Sequence, residues 1–129
     1  MTLFAIGALL GLASCVTNPA LTPAPAPSAA GLAGTWAVSL YLAPQAPTRS
    51  AAMVITAMNG DAPQGSFYGA LIQEGRITRR NGAVVFAGVT ADQSGFYSYS
   101  GQLSGNCVTE GQTLSEGRDF LIAWSAERQ

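Results

Sequence analysis

The chain has 129 residues, 7 acidic and 6 basic, no histidine, and a formal net charge of −1 at pH 7. Only 10% of its residues are charged, and every basic one is an arginine: Arg49, Arg76, Arg79, Arg80, Arg118 and Arg128. That balance lacks the clustered positive charge that displaces counterions from nucleic acid, so no nucleic acid partner is expected. The missing imidazole removes the usual base of Ser-His and Cys-His pairs and the commonest transition-metal ligand.

The first element is the apolar run 3–13, LFAIGALLGLA. A membrane-spanning helix needs about 20 such residues, so this length fits the apolar core of a secretion signal instead. The run ends in Leu12-Ala13-Ser14-Cys15, which resembles the lipobox of bacterial lipoproteins. The resemblance implies a signal peptide over 1–14 and a palmitate-bearing diacylglycerol on Cys15, with the membrane as partner through that anchor. Met1-Thr2 departs from the pattern, because signal peptides usually begin with Lys or Arg. Val16 stands where an Asp often retains lipoproteins in the inner membrane. By the same resemblance, the expected location is the outer membrane, facing the periplasm. Residues 15–30 then read as a lipidated N-terminus and tether. Pro23, Pro25 and Pro27 alternate with small residues, which favours an extended chain at about 3 Å per residue. A lipid carried on the Cys15 sulfur bars that atom from a disulfide. Cys107 is then expected to stay a thiol or to pair between molecules.

From Gly31 the texture changes to short alternating runs separated by Gly, Asn, Asp and Pro, the signature of an all-β sandwich or barrel. Eight strands are predicted, at 34–43, 51–58, 64–73, 75–80, 83–91, 95–103, 106–113 and 118–127. Their breaks are Asn59-Gly60-Asp61, Glu74-Gly75, Asn81-Gly82, Ser94-Gly95 and Gly105-Asn106, residues that tolerate positive φ in tight hairpins. The longest loop, 43–50, carries two prolines. In the first strand Trp36, Val38, Leu40 and Leu42 share one face. In the sixth Tyr97, Tyr99 and Leu103 oppose Phe96, Ser98, Ser100 and Gln102. In the last, Phe120, Ile122, Trp124 and Ala126 oppose Leu121, Ala123, Ser125 and Glu127. Short connections favour antiparallel neighbours, hence an eight-stranded antiparallel up-and-down barrel over 31–129, whose closure leaves no exposed edge.

Gly34-Thr35-Trp36 at the start of this region, with Arg128 at its end, resembles the calycin pattern of lipocalins and avidin-like proteins. The resemblance implies a barrel in which Arg128 packs over Trp36 and closes one end, and the parity shared with Trp124 lets Arg128 point inward for a cation–π contact. Gly65-Ser66-Phe67-Tyr68-Gly69 is similar to a strand motif in transferrin-binding-protein-like surface lipoproteins. Ser94-Gly95-Phe96-Tyr97 with Ser100-Gly101 is similar to membrane-bound inhibitors of C-type lysozyme, without the lysine and disulfide of that pattern.

Chemistry-bearing constellations are sparse. The carboxylates Asp61, Glu74, Asp92 and Glu116 sit beside predicted turns, where local backbone and water satisfy them. Cys107 has no histidine to activate it, and there is no phosphate-cradling glycine loop and no metal-ligand spacing. The chain is therefore expected to have no cofactor, no metal and no catalytic role. The expected function is a lipid-anchored envelope protein of binding or structural type. An interior lined by Trp36, Tyr97, Tyr99, Phe120 and Trp124 would hold a small apolar ligand. An exposed patch including Phe67, Tyr68 or Phe96 would meet an envelope protein. The second reading is an inhibitor of an extracellular hydrolase, such as a lysozyme or a secreted protease, with the 43–50 loop or a hairpin tip entering the enzyme's cleft.

Overall fold

Period-two alternation with turn residues at regular intervals produces eight strands, β1 (Gly34–Tyr41), β2 (Arg49–Asn59), β3 (Ala62–Phe67), β4 (Ala70–Arg80), β5 (Ala83–Asp92), β6 (Gly95–Ser104), β7 (Cys107–Ser115) and β8 (Phe120–Arg128). They belong to a computed structural model that describes residues 29–129. The expected signal peptide, Cys15 and the expected tether up to residue 28 lie outside the described residues. Ala29–Leu32, at the junction of tether and domain, forms a short 3-10 turn. Each strand pairs antiparallel with the next, and β8 returns to β1 from Trp36↔Arg128 to Tyr41↔Ala123, so the sheet is a closed barrel. This is the expected all-β architecture, and it is compatible with a calycin-like fold.

The third and fourth strands differ from expectation. The break expected at Glu74-Gly75 is absent. The chain turns instead at Tyr68-Gly69, where both residues have positive φ (55° and 79°), as a two-residue type I′ hairpin requires. β4 runs through Glu74-Gly75 with a bulge between Ile72 and Glu74. Gly75 is buried in that strand, and an added Cβ would lie 3.0 Å from Pro63 Cγ. The Asn81-Gly82 hairpin forms where expected, again with two positive φ values.

The lumen is filled by alternate side chains of every strand. Trp36, Val38, Leu40, Met53, Ile55, Ile77, Val84, Leu103, Val108 and Ala126 are buried around a central group of rings. Phe67 stacks on Tyr99 at 4.7 Å between ring centres, and Trp124 tilts against Phe67 at 5.2 Å. Phe86 closes the group at 6.5 Å from Tyr99 and 6.4 Å from Trp124. Phe67 was expected in an exposed patch. It is buried because it pairs across the sheet with the inward-facing Met53 of β2, and directly paired residues share a face. Leu42 was expected to face inward but lies beyond the end of β1 and is exposed.

Room for these rings comes from glycines directly opposite them. Gly88 pairs with Tyr99 and Gly101 with Phe86, while Gly111 pairs with Trp124. A Cβ on Gly88 would overlap the Tyr99 hydroxyl, and one on Gly111 would overlap the Trp124 backbone and ring. A Cβ on Gly101 would meet Val108 Cγ1 at 2.7 Å and Phe86 and Trp124 at 3.1 Å. Cross-strand glycine–aromatic pairing of this kind lets the ring cover the backbone the glycine leaves bare. Gly101→Ala should therefore overpack the plug and lower stability by about 1–3 kcal/mol. Because its nearest obstacle is a side-chain methyl, adding Val108→Ala should recover part of the loss in a double-mutant cycle of chemical denaturation midpoints. Additive losses would show that Gly101 does not make this room.

Candidate ligand site at the open end of the barrel

The two ends of the barrel are built differently. At the end where the chain enters, Leu32 and Trp36 are fully buried, and the Trp36 indole N–H donates to the Leu32 carbonyl at 2.9 Å. Arg128 comes from the last strand with its guanidinium carbon 4.3 Å from the centre of the Trp36 ring. It also donates to the Ala33 carbonyl at 2.7 Å and to the Gly31 carbonyl. Gly34 makes this approach feasible. Its φ is +136°, and an added Cβ would stand 2.5 Å from Arg128 Nη1. The Gly34, Trp36 and Arg128 constellation is thus one packed unit across this end. The backbone N–H of Gln129 continues the seam by donating to the Thr35 carbonyl at 2.9 Å.

The opposite end is formed by the β1–β2, β3–β4, β5–β6 and β7–β8 connections. It opens into a cavity of about 320 Å³. Leu40, Phe67, Thr90 and Thr113 are its buried lining, Phe67 being part of the aromatic plug. Ala70, Tyr97, Phe120 and Ile122 form the walls, and Leu42, Arg49, Tyr68, Asp92, Arg118 and Leu121 the rim. Of the five residues expected to bind ligand, Tyr97 and Phe120 line this cavity, with ring centres 6.3 Å apart. Tyr99 and Trp124 sit in the plug below it, and Trp36 seals the far end.

Large apolar residues exposed among the described residues are Tyr41, Leu42, Tyr68, Leu71, Phe96, Leu114 and Leu121. All lie in or next to the four mouth-side connections, so the apolar surface surrounds the opening. Tyr68 and Phe96 are part of this rim, as expected of an exposed patch. A second depression, of about 660 Å³, lies on the outer wall over Ala87, Gly88, Ser98, Ser100 and Gln112. It is a shallow consequence of small outward side chains rather than a chamber.

Polar chemistry at the mouth is concentrated on one side. The Ser94 backbone N–H donates to Asp92 Oδ1 at 2.7 Å, and the Ser94 hydroxyl donates to the same oxygen. With its proton committed to Asp92, the Ser94 oxygen accepts from the Tyr97 hydroxyl. Arg118 lies over the Phe120 ring at 5.7 Å. The two Ser94 hydrogen bonds, with smaller help from Tyr97 and the Arg118 charge, hold the Asp92 carboxyl below its ordinary value. In the plug, burial pushes the Tyr99 phenol well above the usual tyrosine range, so that ring is neutral. No group of His, Cys, Asp and Glu side chains among the described residues is arranged to hold a metal ion.

Sequence reasoning missed Thr90, Thr113, Leu40 and Ile122 as cavity residues, and Arg49 and Arg118 as rim residues. Parity carried part of the signal, since Thr90 follows Val84, Phe86 and Gly88 on the inward side of β5. Cys107 also differs from expectation. It is disulfide-bonded rather than an idle thiol.

The fold and site together define a small closed β-barrel with one sealed and one open end. No protein-family model, curated protein or solved structure matches the chain.

A carboxyl held below its unfolded value of 3.8 contributes stability that is complete above that value. That contribution is lost as pH drops through the lower folded value. A carboxyl-detected NMR titration should place the Asp92 midpoint below 3.8, and Ser94→Ala should move it back upward. An Asp92 midpoint unchanged by Ser94→Ala would exclude the Ser94 hydroxyl as the main cause of the shift, since the backbone N–H bond survives in alanine.

Proposed function

We propose that this protein is a lipid-anchored envelope protein that binds a small apolar molecule in the mouth of its barrel. The observation that carries the reading is the cavity of about 320 Å³, which is apolar over most of its lining and rests on a closed aromatic floor. Ligand pockets begin at about this size and share this make-up, mainly apolar walls with a few placed polar groups. The floor makes the cavity a dead end, so the barrel is a receptacle and not a channel. The apolar rim gives such a molecule a surface to meet before it enters, and it is the same surface an envelope protein would contact.

The neutral dye N-phenyl-1-naphthylamine should gain fluorescence on binding the full-length protein. Ala70→Trp, placed on the cavity wall, should weaken that binding by at least about tenfold, or 1.4 kcal/mol, without lowering the melting temperature much. Binding that persists undiminished in the Ala70→Trp protein, or no binding of the dye at all, would refute the mouth as receptacle.

The anchor reading rests on Leu12-Ala13-Ser14-Cys15 and on the proline-alternating segment that follows. Cys107 is disulfide-bonded and the chain has two cysteines in all. A single sulfur on Cys15 can carry a diacylglycerol thioether or take part in a disulfide, but not both. Intact mass of the protein purified from bacterial membranes, before and after reduction, separates these forms. The anchored form should begin at Cys15 and carry acyl chains, and Cys15→Ser should leave residues 1–14 uncleaved. A chain still beginning at Met1, without fatty acids, would end the anchor reading.

A further inference from the structure

Among the described residues, three polar side chains are buried, Thr90, Thr113 and Ser115. All three lie on the mouth side of the aromatic plug, and the core between plug and sealed end is apolar. Thr90 and Thr113 line the mouth cavity. Thr113 is only 6% exposed, and its hydroxyl has no hydrogen-bond partner among the described residues. Its cross-strand neighbours, Tyr99 on β6 and Ile122 on β8, present rings and methyls rather than acceptors. A buried hydroxyl without a partner destabilises the folded state, and an apolar group of the same shape would avoid that loss.

Charge is distributed the opposite way. The charged residues lining the cavity, Arg49, Asp92 and Arg118, are all exposed at the rim. A carboxylate or ammonium group pushed down to Phe67, Thr90 and Thr113 would lose its water and find no counter-ion. A neutral group that can donate or accept would find the Thr113 hydroxyl instead.

We propose that the cavity selects a neutral, mostly apolar molecule carrying one hydroxyl, carbonyl or amide group, which enters first and hydrogen-bonds to Thr113. This rests on the reading of the mouth as a binding site and names the chemistry of its ligand. The hydroxyl of Thr113 is then a specificity group whose partner arrives with the ligand.

The test compares three probes of similar size on the full-length protein by calorimetry at pH 7: 2-naphthol, 2-methylnaphthalene and 2-naphthoate. The wild type should bind 2-naphthol about tenfold more tightly than 2-methylnaphthalene, a margin typical of one hydrogen bond, and 2-naphthoate more weakly than 2-naphthol. Thr113→Val should bring 2-naphthol and 2-methylnaphthalene to within about twofold of one another. The unliganded Thr113→Val protein should melt no lower than wild type, because the change removes an idle hydroxyl and keeps the shape. Equal affinity of the wild type for 2-naphthol and 2-methylnaphthalene would overturn the polar handle and leave apolar binding standing. Failure of all three to bind would sink the binding reading itself. A Thr113→Val protein that keeps its preference for 2-naphthol, or that melts lower, would overturn the role given to this hydroxyl. Tighter binding of 2-naphthoate than of 2-naphthol would overturn the neutrality of the ligand.

Discussion

An eight-stranded barrel encloses a lumen that side chains just fill, and in this protein four aromatic rings share one cross-section of it. Phe67, Phe86, Tyr99 and Trp124 cannot all project inward if every facing residue also carries a side chain. Three cross-strand residue pairs, two between β5 and β6 and one between β7 and β8, resolve the conflict by setting a glycine opposite a ring: Gly88 with Tyr99, Gly101 with Phe86, Gly111 with Trp124. Each glycine costs backbone entropy. The compensation is burial of a large ring, at about 1.5–3 kcal/mol for a fully buried large side chain. These glycines sit on β5, β6 and β7, facing a β1–β2 wall of Val38, Leu40, Met53 and Ile55. The plug is therefore lopsided, with bare backbone on one side of the barrel and aliphatic chains on the other.

The plug divides the barrel into two ends with different physical jobs. Below it, the chain's entry and exit meet. Arg128 there couples the last strand to the segment before the first through two carbonyls and the face of Trp36. Hydrogen bonds from a charged donor are worth about 1.5–3 kcal/mol, and the stack adds to them. Joining chain termini of a small domain in this way limits fraying where closure of the sheet is most vulnerable. Above the plug the connections diverge, the apolar surface turns outward to solvent, and polar side chains enter the interior. One end is thus packed closed, and the other exposes apolar area around its opening.

Much of the architecture was legible from alternation and turns. Strand parity placed Trp36, Tyr99 and Trp124 inside, and Asn81-Gly82 located a hairpin. Where expectation and structure part, a local rule was overridden by an interior demand. Glu74-Gly75 has the composition of a turn, yet Gly75 serves as a thin spot against Pro63, and the real turn uses Tyr68-Gly69, whose first residue is an unusual choice for positive φ. Phe67, the last residue before that turn, pairs with the inward-facing Met53 and so joins the stack. The sealed end was legible because its constellation, Gly34, Trp36 and Arg128, lies on two strands with clear parity. The mouth cavity was less so. Its lining comes from all eight strands and the flanking turns, and its character depends on how far the plug reaches, which no single strand encodes.

Interior polar atoms show which positions serve the fold and which do not. The donors of Arg128 and the Trp36 indole find backbone carbonyls, so the sealed end carries little unmet hydrogen-bonding demand. Among the described residues, three buried side-chain atoms lack partners: Tyr99 Oη, Trp124 Nε1 and Thr113 Oγ1. For the tyrosine and the tryptophan the loss is offset by the ring that carries the atom, since each packs in the plug against its neighbours. No natural side chain is an indole without its N–H, so the tryptophan has no direct substitute, while phenylalanine would keep the Tyr99 ring without its hydroxyl. Thr113 has a substitute as direct, and unlike Tyr99 it lines the mouth cavity. A valine occupies the same volume, suits a strand at least as well, and leaves no idle hydroxyl. A fold selected for stability alone has an easy substitute at position 113. Thr113 lines the mouth cavity instead, so the anomaly stands where the proposed ligand would supply the partner that the fold does not.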